Sequence, residues 1–189
     1  MIISYLNKNI MQRNVILDDQ KEIFKNLLEE TVREYAGIAG KETGKIVIGA
    51  NETVFTFRNS GRGILAGKVA RGVLPTEDGA LPEKPISPQY DLEQYLSADV
   101  FELHSFHGHE ISVLVYEKGE RKSFTVHPDT STSEGILVHI EWASRLEPEL
   151  VLTEQDVFSS LLKMFPLKSS RARLQWEPEV WFNAKRIQY

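Results

Sequence analysis

The sequence predicts an α+β fold: a two-layer sandwich with a largely antiparallel, mixed sheet covered on one face by helices. Two segments, 19–36 and 153–165, repeat apolar residues at the helical period near 3.6. Several short apolar segments, separated by turn residues, follow one another at hairpin spacing. Consecutive hairpins make an antiparallel sheet, and the two amphipathic helices need a sheet face against which to bury their apolar sides.

Composition limits the classes of protein that this chain can be. The 189 residues include no cysteine, which excludes a disulfide scaffold, a thiol nucleophile and a cysteine-based metal site. A hydrophobic content of 41% with a net charge of −5 indicates a folded domain and argues against direct DNA binding. Without a long apolar run or a signal segment, we expect a cytoplasmic protein with no membrane partner.

The first half of the chain reads as a helix followed by a hairpin. Ile23, Leu27 and Leu28 lie on the apolar face of the helix at 19–36, and glycines follow it. Strands at 45–50 and 52–59 then flank a tight turn at Asn51.

The second half reads as a loop, further strands and a capped helix. A glycine loop at 60–67 precedes an irregular Pro-rich and Gly-rich stretch. Thr153 and Asp156 resemble a capping box at the start of the helix at 153–165. The remaining predicted elements are a short helix at 90–97, strands at 100–106, 111–117, 122–128, 135–142 and 172–178, and an aromatic tail with Trp181, Phe182 and Tyr189. We expect one domain over 1–189, with an irregular lid region at 66–98 and a tail at 177–189.

A polar stripe runs along the first helix. Glu22, Asn26 and Glu30 are four residues apart, so they share one helix face beside the apolar positions. A glutamate can accept a proton from water, and an asparagine carbonyl can bind a hard cation such as Mg²⁺. Periodicity alone favours an ordinary solvated helix face that carries Glu and Asn.

The loop after the hairpin has the sequence Asn59-Ser-Gly-Arg-Gly-Ile64. Its alternate glycines allow positive φ angles and close approach of a ligand to the backbone. Asn59 can offer a donor and an acceptor to a flat heterocycle. Taken alone, the pattern is better explained as a simple turn leaving a strand. A Walker-type phosphate loop does not fit, because Gly63 to Val69 is one residue short and ends without a hydroxyl.

The stripe and the loop together resemble a known family. The pattern E-x-x-x-N-x-x-x-E at Glu22, Asn26 and Glu30, followed by a hairpin and then G-R-G-I at 61–64, is similar to the ATPase domain of the DNA gyrase B subunit and topoisomerase IV. That domain belongs to the GHKL superfamily, which has the Bergerat fold. The resemblance extends over about residues 20–176 and implies a site for ATP and Mg²⁺.

The resemblance implies a role for each matched residue. Glu22 would be the general base that activates water, Asn26 would hold Mg²⁺, and Glu30 would pair with Arg62. Asn59 stands where the family has an aspartate that reads the adenine amino group, and Ile136 stands where a threonine is usual. The implied nucleotide-binding residues are Asn26, Asn59, Gly61, Arg62, Gly63, Ile64 and Ile136.

Departures from the family pattern predict weakened chemistry. Residues 66–98 lack the second glycine-rich box that wraps the triphosphate in the family, and we expect 189 residues to leave no room for its transducer domain. Positioning and electrostatics carry phosphoryl transfer, so we expect weak or lost ATP hydrolysis by a gyrase-B-like ATP-binding domain. Two alternatives are an active ATPase that needs a partner or topoisomerase subunit, and a non-catalytic protein-interaction module that retains only the fold.

Two further clusters carry weaker signals. The segment His104-Ser-Phe-His107-Gly-His109 is better explained as polar hairpin residues than as a zinc site. The basic residues Arg58, Arg62, Lys68 and Arg71 could meet phosphates, although a solvated loop explains them as well.

Overall fold

The computed structural model describes residues 19–36, 44–61, 63–67, 69, 98–131, 134–165 and 178–189. The short helix predicted at 90–97 lies outside this range, as do Arg62 and, except for Pro178, the strand predicted at 172–178. Most of the irregular stretch after the glycine loop is also outside it. Within the described residues, no helix combines the length and the apolar character needed to cross a membrane.

The described elements follow the predicted order closely. They are α1 (Gln20–Ala36), β1 (Lys45–Ala50), β2 (Val54–Asn59), β3 (Val100–His107), β4 (Glu110–Glu117), β5 (Glu120–Pro128), β6 (Gly135–Glu141), a short 3-10 turn (Pro148–Leu150), α2 (Glu154–Met164), β7 (Glu179–Phe182) and β8 (Lys185–Ile187).

All described strands belong to one sheet, which confirms the predicted fold class. The eight strands lie in the order β5-β4-β3-β6-β2-β1-β7-β8. The pairing is antiparallel throughout except between β1 and β7, which run parallel. The sheet is therefore mixed and largely antiparallel, as the hairpin spacing predicts.

The hairpin of β1 and β2 closes on an asparagine turn. Oδ1 of Asn51 accepts hydrogen bonds from the backbone N–H of Thr53 and of Val54, both at 2.9 Å. These bonds hold the N–H groups of Thr53 and Val54 in the turn that precedes the strand. They explain why β2 begins at Val54 instead of at residue 52.

The hydrophobic core lies between the helices and one face of the sheet. Inward-facing strand residues such as Phe57 and Leu103 are fully buried, as are Phe24 and Leu28 of α1. The rings of Phe24 and Phe57 meet with their centroids 6.5 Å apart. This packing confirms that α1 uses its periodic apolar face to cover the sheet.

A buried glutamine joins the start of α1 to two other elements. Nε2 of Gln20 donates to the Asn51 carbonyl at 2.8 Å, and Oε1 accepts from the backbone N–H of Leu152 at 3.0 Å. Gln20 thereby fixes α1 against the β1–β2 turn and the segment that enters α2. Because both ends of this amide are hydrogen-bonded, its complete burial is tolerated.

The capping box predicted for α2 is present. Oγ1 of Thr153 accepts from the backbone N–H of Asp156 at 3.2 Å, and the carboxylate of Asp156 accepts from the backbone N–H of Thr153 at 3.1 Å. The two residues satisfy each other's backbone donors at the first turn. Val157 and Leu161 then place the apolar face of α2 in the core.

The last twelve residues form a hairpin that the sequence did not predict. Asn183 and Ala184 turn with positive φ angles of 45° and 64°, and the amide of Asn183 bonds both backbone groups of Ala50. Phe182 is buried, and the ring of Tyr189 lies 5.8 Å from that of Phe165. The aromatic tail therefore completes the core beside β1.

Candidate functional site

The glycine loop leaves the sheet at a buried asparagine. Asn59 is only 2% exposed at the end of β2. Its Oδ1 accepts hydrogen bonds from the backbone N–H of Gly61 at 3.2 Å and of Ile136 at 3.0 Å. The side chain that the sequence suggested for reading a base is thus bonded to the loop and to β6, and both lone pairs of its carbonyl oxygen are used.

Asn59 also connects the loop to α1. Its Nδ2 donates to Oγ1 of Thr31 at 3.0 Å, and the Thr31 hydroxyl donates to the Leu27 carbonyl at 2.7 Å. Thr31 is fully buried. Sequence reasoning missed this residue, although a hydroxyl four positions after Leu27 on the apolar face was a usable signal.

Gly63 is required by packing between backbones. Its φ angle is +70°, and a Cβ atom there would lie 2.1 Å from the carbonyl oxygen of Phe106. Gly135 is comparable, because its φ is +121° and a Cβ would lie 2.1 Å from the Asn59 carbonyl oxygen. From the sequence, the loop glycines are expected to allow close approach of a ligand to the backbone. For Gly63, the structure gives contact with β3 as the reason.

A serine on β3 holds the next residue of the loop. Oγ of Ser105 accepts from the backbone N–H of Ile64 at 2.5 Å and donates to the carbonyl of the same residue at 2.9 Å. Ser105 is buried, and Ile64 is 5% exposed in the core. Sequence reasoning missed Ser105, although a polar residue at an inward position, two after Leu103, indicated a buried hydrogen bond.

The polar stripe of α1 is half-buried along its length. Glu22, Asn26 and Glu30 all have intermediate exposure, whereas Lys25 on the neighbouring face is exposed. Glu22 lies 3.4 Å from the ammonium of Lys25, and its side chain is 41% exposed. This burial fits the prediction that the stripe borders the core.

The far end of the stripe lies next to the loop. Glu30 directly precedes Thr31, which bonds Asn59, and Oε2 of Glu30 is shielded from solvent. The pair expected between Glu30 and Arg62 stays a prediction, because Arg62 is outside the described residues.

Helix geometry sets how far the stripe extends from that junction. At a rise of about 1.5 Å per residue, Asn26 lies about 7.5 Å and Glu22 about 13.5 Å along the axis from Thr31. This span is on the scale of an extended nucleoside triphosphate.

Of the predicted basic run, the structure describes Arg58, while Arg62, Lys68 and Arg71 lie outside the described residues. Arg58 lies on the opposite face of the sheet, 5.2 Å from the ring centroid of Phe106. On that same face His104 lies 3.2 Å from Glu102. Among the described residues, no group of three or more His, Cys, Asp or Glu side chains is arranged to hold a metal ion.

A separate groove opens between α2 and β8. It has a volume of about 640 Å³ and contains the ion pair between Lys185 Nζ and Glu154 Oε1 at 2.7 Å. Phe158 and Ile187 supply its apolar lining. None of the residues that line it belongs to the predicted nucleotide site.

Comparison with solved structures identifies the fold. The ATPase region of Saccharomyces cerevisiae topoisomerase II superposes with a TM-score of 0.56 at 14% identity, covering 88% of this chain and 49% of that one. The Aquifex aeolicus MutL ATPase domain complexed with ADP gives 0.55 at 12%, covering 92% and 63%. The Thermus thermophilus gyrase B ATPase domain, in complex with an aminocoumarin, gives 0.55 at 18%, covering 89% and 44%.

These comparisons confirm the predicted resemblance at the level of the fold. This chain has the fold of GHKL ATPase domains and spans about half the length of the structures that it matches. No protein-family model matches the sequence, and no curated protein matches it.

Proposed function

We propose that this chain is a nucleotide-binding domain that takes ATP with Mg²⁺ between α1 and the glycine loop. The observation that carries the proposal is the buried junction in which Asn59 bonds Thr31 of α1, Gly61 of the loop and Ile136 of β6. It supports a position beside the glycine loop for the Glu30 end of the stripe, because Glu30 directly precedes Thr31. The neighbours in the fold comparison include a MutL ATPase domain complexed with ADP, which supports a nucleotide as the ligand.

Asn26 is the residue proposed to hold the cation. Its carbonyl oxygen is of the type that Mg²⁺ prefers, and Mg²⁺ takes few ligands from protein when phosphates and water supply the others. The half-buried position of Asn26 fits such a role. When bound, the cation would neutralise charge on the phosphates. Asn26 itself would orient the triphosphate along the helix.

Glu22 is the residue proposed to act on water. Its carboxylate would take a proton from a water molecule as the water oxygen forms a bond to the γ-phosphorus. The bond from the γ-phosphorus to the bridging oxygen breaks, releasing ADP and inorganic phosphate. Lys25 lies 3.4 Å from this carboxylate, so the general base is oriented by one exposed neighbour.

We propose that hydrolysis is weak. Phosphoryl transfer depends on preorganised donors around the γ-phosphate. The described part of the loop directs Gly63 and Ile64 toward β3, where they contact Phe106 and Ser105. These contacts support a loop built for packing more than for holding phosphates.

The proposal is tested by titration calorimetry with ATP, with and without Mg²⁺, followed by a turnover assay. Binding that needs Mg²⁺ and is followed by slow or no turnover supports it. Turnover only after addition of another subunit would favour a partner-dependent ATPase, which topoisomerase-like relatives make the second candidate. No binding at millimolar ATP would overturn the proposal and favour an interaction module.

Within the assay, Glu22→Gln and Lys25→Ala form a matched pair. Both remove the ion pair at 3.4 Å, but only Glu22→Gln removes the carboxylate. We expect both variants to bind ATP. Any turnover is expected to disappear in Glu22→Gln and to persist in Lys25→Ala.

A further inference from the structure

The strand β5 forms one edge of the sheet. Among the described strands it pairs with β4 alone, from Glu117 opposite Glu120 to Glu110 opposite Pro128. Seven of its nine residues are exposed, and Val126 is an exposed apolar side chain at 44%. A long open edge presents backbone groups with which another strand can pair.

The register of β4 and β5 shows which backbone groups face outward. The N–H of Asp129 donates to the His109 carbonyl at 2.7 Å, which continues the pairing by one residue. In an antiparallel pair, alternate residues direct both of their backbone groups at the same neighbour. The even-numbered residues Phe124, Val126 and Pro128 therefore face away from β4. Because proline has no N–H, only Phe124 and Val126 present both a donor and an acceptor there.

Features that protect an edge strand lie on either side of these two residues. Lys122 is an extra residue between the partners of Val115 and Tyr116, so a bulge and a charge interrupt the start of the strand. Pro128 ends the strand. Bulges, charges and prolines are usual means of preventing edge pairing. The segment 123–127, Ser-Phe-Thr-Val-His, contains none of them.

We propose that a second copy of this chain pairs with β5 in antiparallel orientation, around a two-fold axis at Thr125. In this register Phe124 of each copy lies opposite Val126 of the other, so every outward N–H and C=O group of these two residues gains a partner. Phe124 and Val126 lie on the same face of the sheet. An aromatic side chain opposite a β-branched one stabilises strand pairing, and the contact covers the exposed Val126.

Charge favours the antiparallel orientation. The start of β5 carries Arg121 and Lys122 with one acid, Glu120, and the strand ends next to Asp129. Antiparallel pairing places the basic start of one copy beside the acidic end of the other, whereas parallel pairing would bring like charges together. The two-fold axis also occupies the β5 edge of both copies, so growth through this edge stops at a dimer.

The first experiment measures the association of the full chain. A contact through one short strand is a small interface, so we expect a dissociation constant on the order of 100 µM. Sedimentation velocity from about 10 µM to 1 mM should show the average mass rising from monomer toward dimer.

Val126→Lys and Val47→Lys form a matched pair. Both replace an exposed strand valine by lysine, but Val47 lies on β1, far from β5 in the strand order. A lysine on an edge strand opposes pairing, so we expect Val126→Lys to raise the dissociation constant at least about tenfold. Val47→Lys is expected to leave it unchanged.

Thr125→Cys tests the register directly, because the chain has no cysteine of its own. Residue 125 would lie opposite residue 125 of the second copy as a non-hydrogen-bonded pair, with the Cα atoms about 4.5 Å apart. That separation is within the range that a disulfide bridges. Mild oxidation should therefore give a disulfide-linked dimer.

His127→Cys is the control on the same face of β5, and both positions are exposed. Residue 127 would lie opposite Ser123 of the second copy, so the two introduced thiols would be four residues, or about 14 Å, apart along the strands. We expect little or no cross-linked dimer from this variant.

The outcomes decide the proposal without reference to nucleotide binding. A chain that stays monomeric up to about 1 mM overturns it. A dimer that Val126→Lys leaves unchanged also overturns it, since the contact then lies elsewhere. Cross-linking of His127→Cys as efficient as that of Thr125→Cys contradicts the proposed pairing. Should Val126→Lys fail to fold, the two cysteine variants still decide.

Discussion

The two halves of the candidate site are held in place by different kinds of interaction. At the glycine loop, Asn59 and Ser105 are buried, and their polar atoms bond the backbone of the loop. On α1, the side chain of Glu22 is 41% exposed and forms an ion pair with the more exposed Lys25. Buried hydrogen bonds to backbone groups contribute strongly to stability, whereas exposed ion pairs contribute little.

This difference separates residues that stabilise the fold from residues available for chemistry. At the loop end, the side chains of Asn59 and Ser105 find their hydrogen-bond partners within the fold. At the other end of the stripe, Glu22 forms an exposed ion pair. Substitutions at the loop should therefore lower the free energy of unfolding, and substitution of Glu22 should alter function alone.

The largest effect is expected at Gly63. Gly63→Ala would combine a positive φ of +70° with a Cβ 2.1 Å from the Phe106 carbonyl oxygen. Backbone cannot move aside as a flexible side chain can, so we expect a loss of about 4 kcal/mol in the free energy of unfolding. Urea denaturation followed by circular dichroism measures it.

Gly67→Ala is the control in the same loop. A Cβ there would meet nothing within 4 Å, and Gly67 lies in helical backbone. We expect no loss, or a gain of up to about 1 kcal/mol from helix propensity. Equal losses at Gly63 and Gly67 would contradict the packing argument.

The second effect is expected at Asn59. Asn59→Ala leaves the N–H groups of Gly61 and Ile136 buried without the acceptor that the structure gives them. We expect a loss of about 3 kcal/mol. In Asn51→Ala, water can reach the exposed turn and replace the side chain, so a loss of about 1 kcal/mol or less is expected. The same denaturation measurement compares the two, and a larger loss at Asn51 would count against the account.

A third comparison uses two serines that face each other across β3 and β4. Ser105 bonds both backbone groups of Ile64, whereas the buried hydroxyl of Ser112 has no hydrogen-bond partner among the described residues. Ser105→Ala should lower stability by about 1–2 kcal/mol, and Ser112→Ala should be neutral or stabilising. Thermal unfolding of both variants measures the two changes in stability. A larger loss in Ser112→Ala than in Ser105→Ala would contradict this account.

The smallest effect on stability is expected at Glu22. Glu22→Gln removes an exposed ion pair, so the free energy of unfolding should change by less than about 0.5 kcal/mol. The exposed pair is also screened by salt, and the difference from the unmodified chain should shrink further at high ionic strength. A loss above about 2 kcal/mol would show that Glu22 is a structural residue.

Local patterns made most of the fold predictable. The helical period identified α1 and α2, the hairpin spacing identified β1 to β6, and Thr153 with Asp156 identified the start of α2. The C-terminal hairpin was not predictable in this way. Its turn uses two non-glycine residues with positive φ angles, and β7 pairs in parallel with β1, far away in sequence.

The residues of the candidate site come from a local pattern, but their contacts do not. The spacing of Glu22, Asn26 and Glu30 put them on one helix face, where all three have intermediate exposure, and their roles stay predictions. The bonds of Asn59 to Thr31 and Ile136 join residues 28 and 77 positions apart, and no local pattern reports such pairings. Tertiary packing brings these partners together, so the side chain of Asn59 makes structural hydrogen bonds.

We propose that a nucleotide binds between α1 and the glycine loop. An NMR titration of the ¹⁵N-labelled chain with ATP and Mg²⁺ tests this binding most directly. The account predicts saturable shifts of the backbone amides of Gly61, Gly63 and Ile64 and of the side-chain amide of Asn26. Shifts confined to the groove at Glu154 and Lys185, or no saturable shift at millimolar ATP, would contradict it.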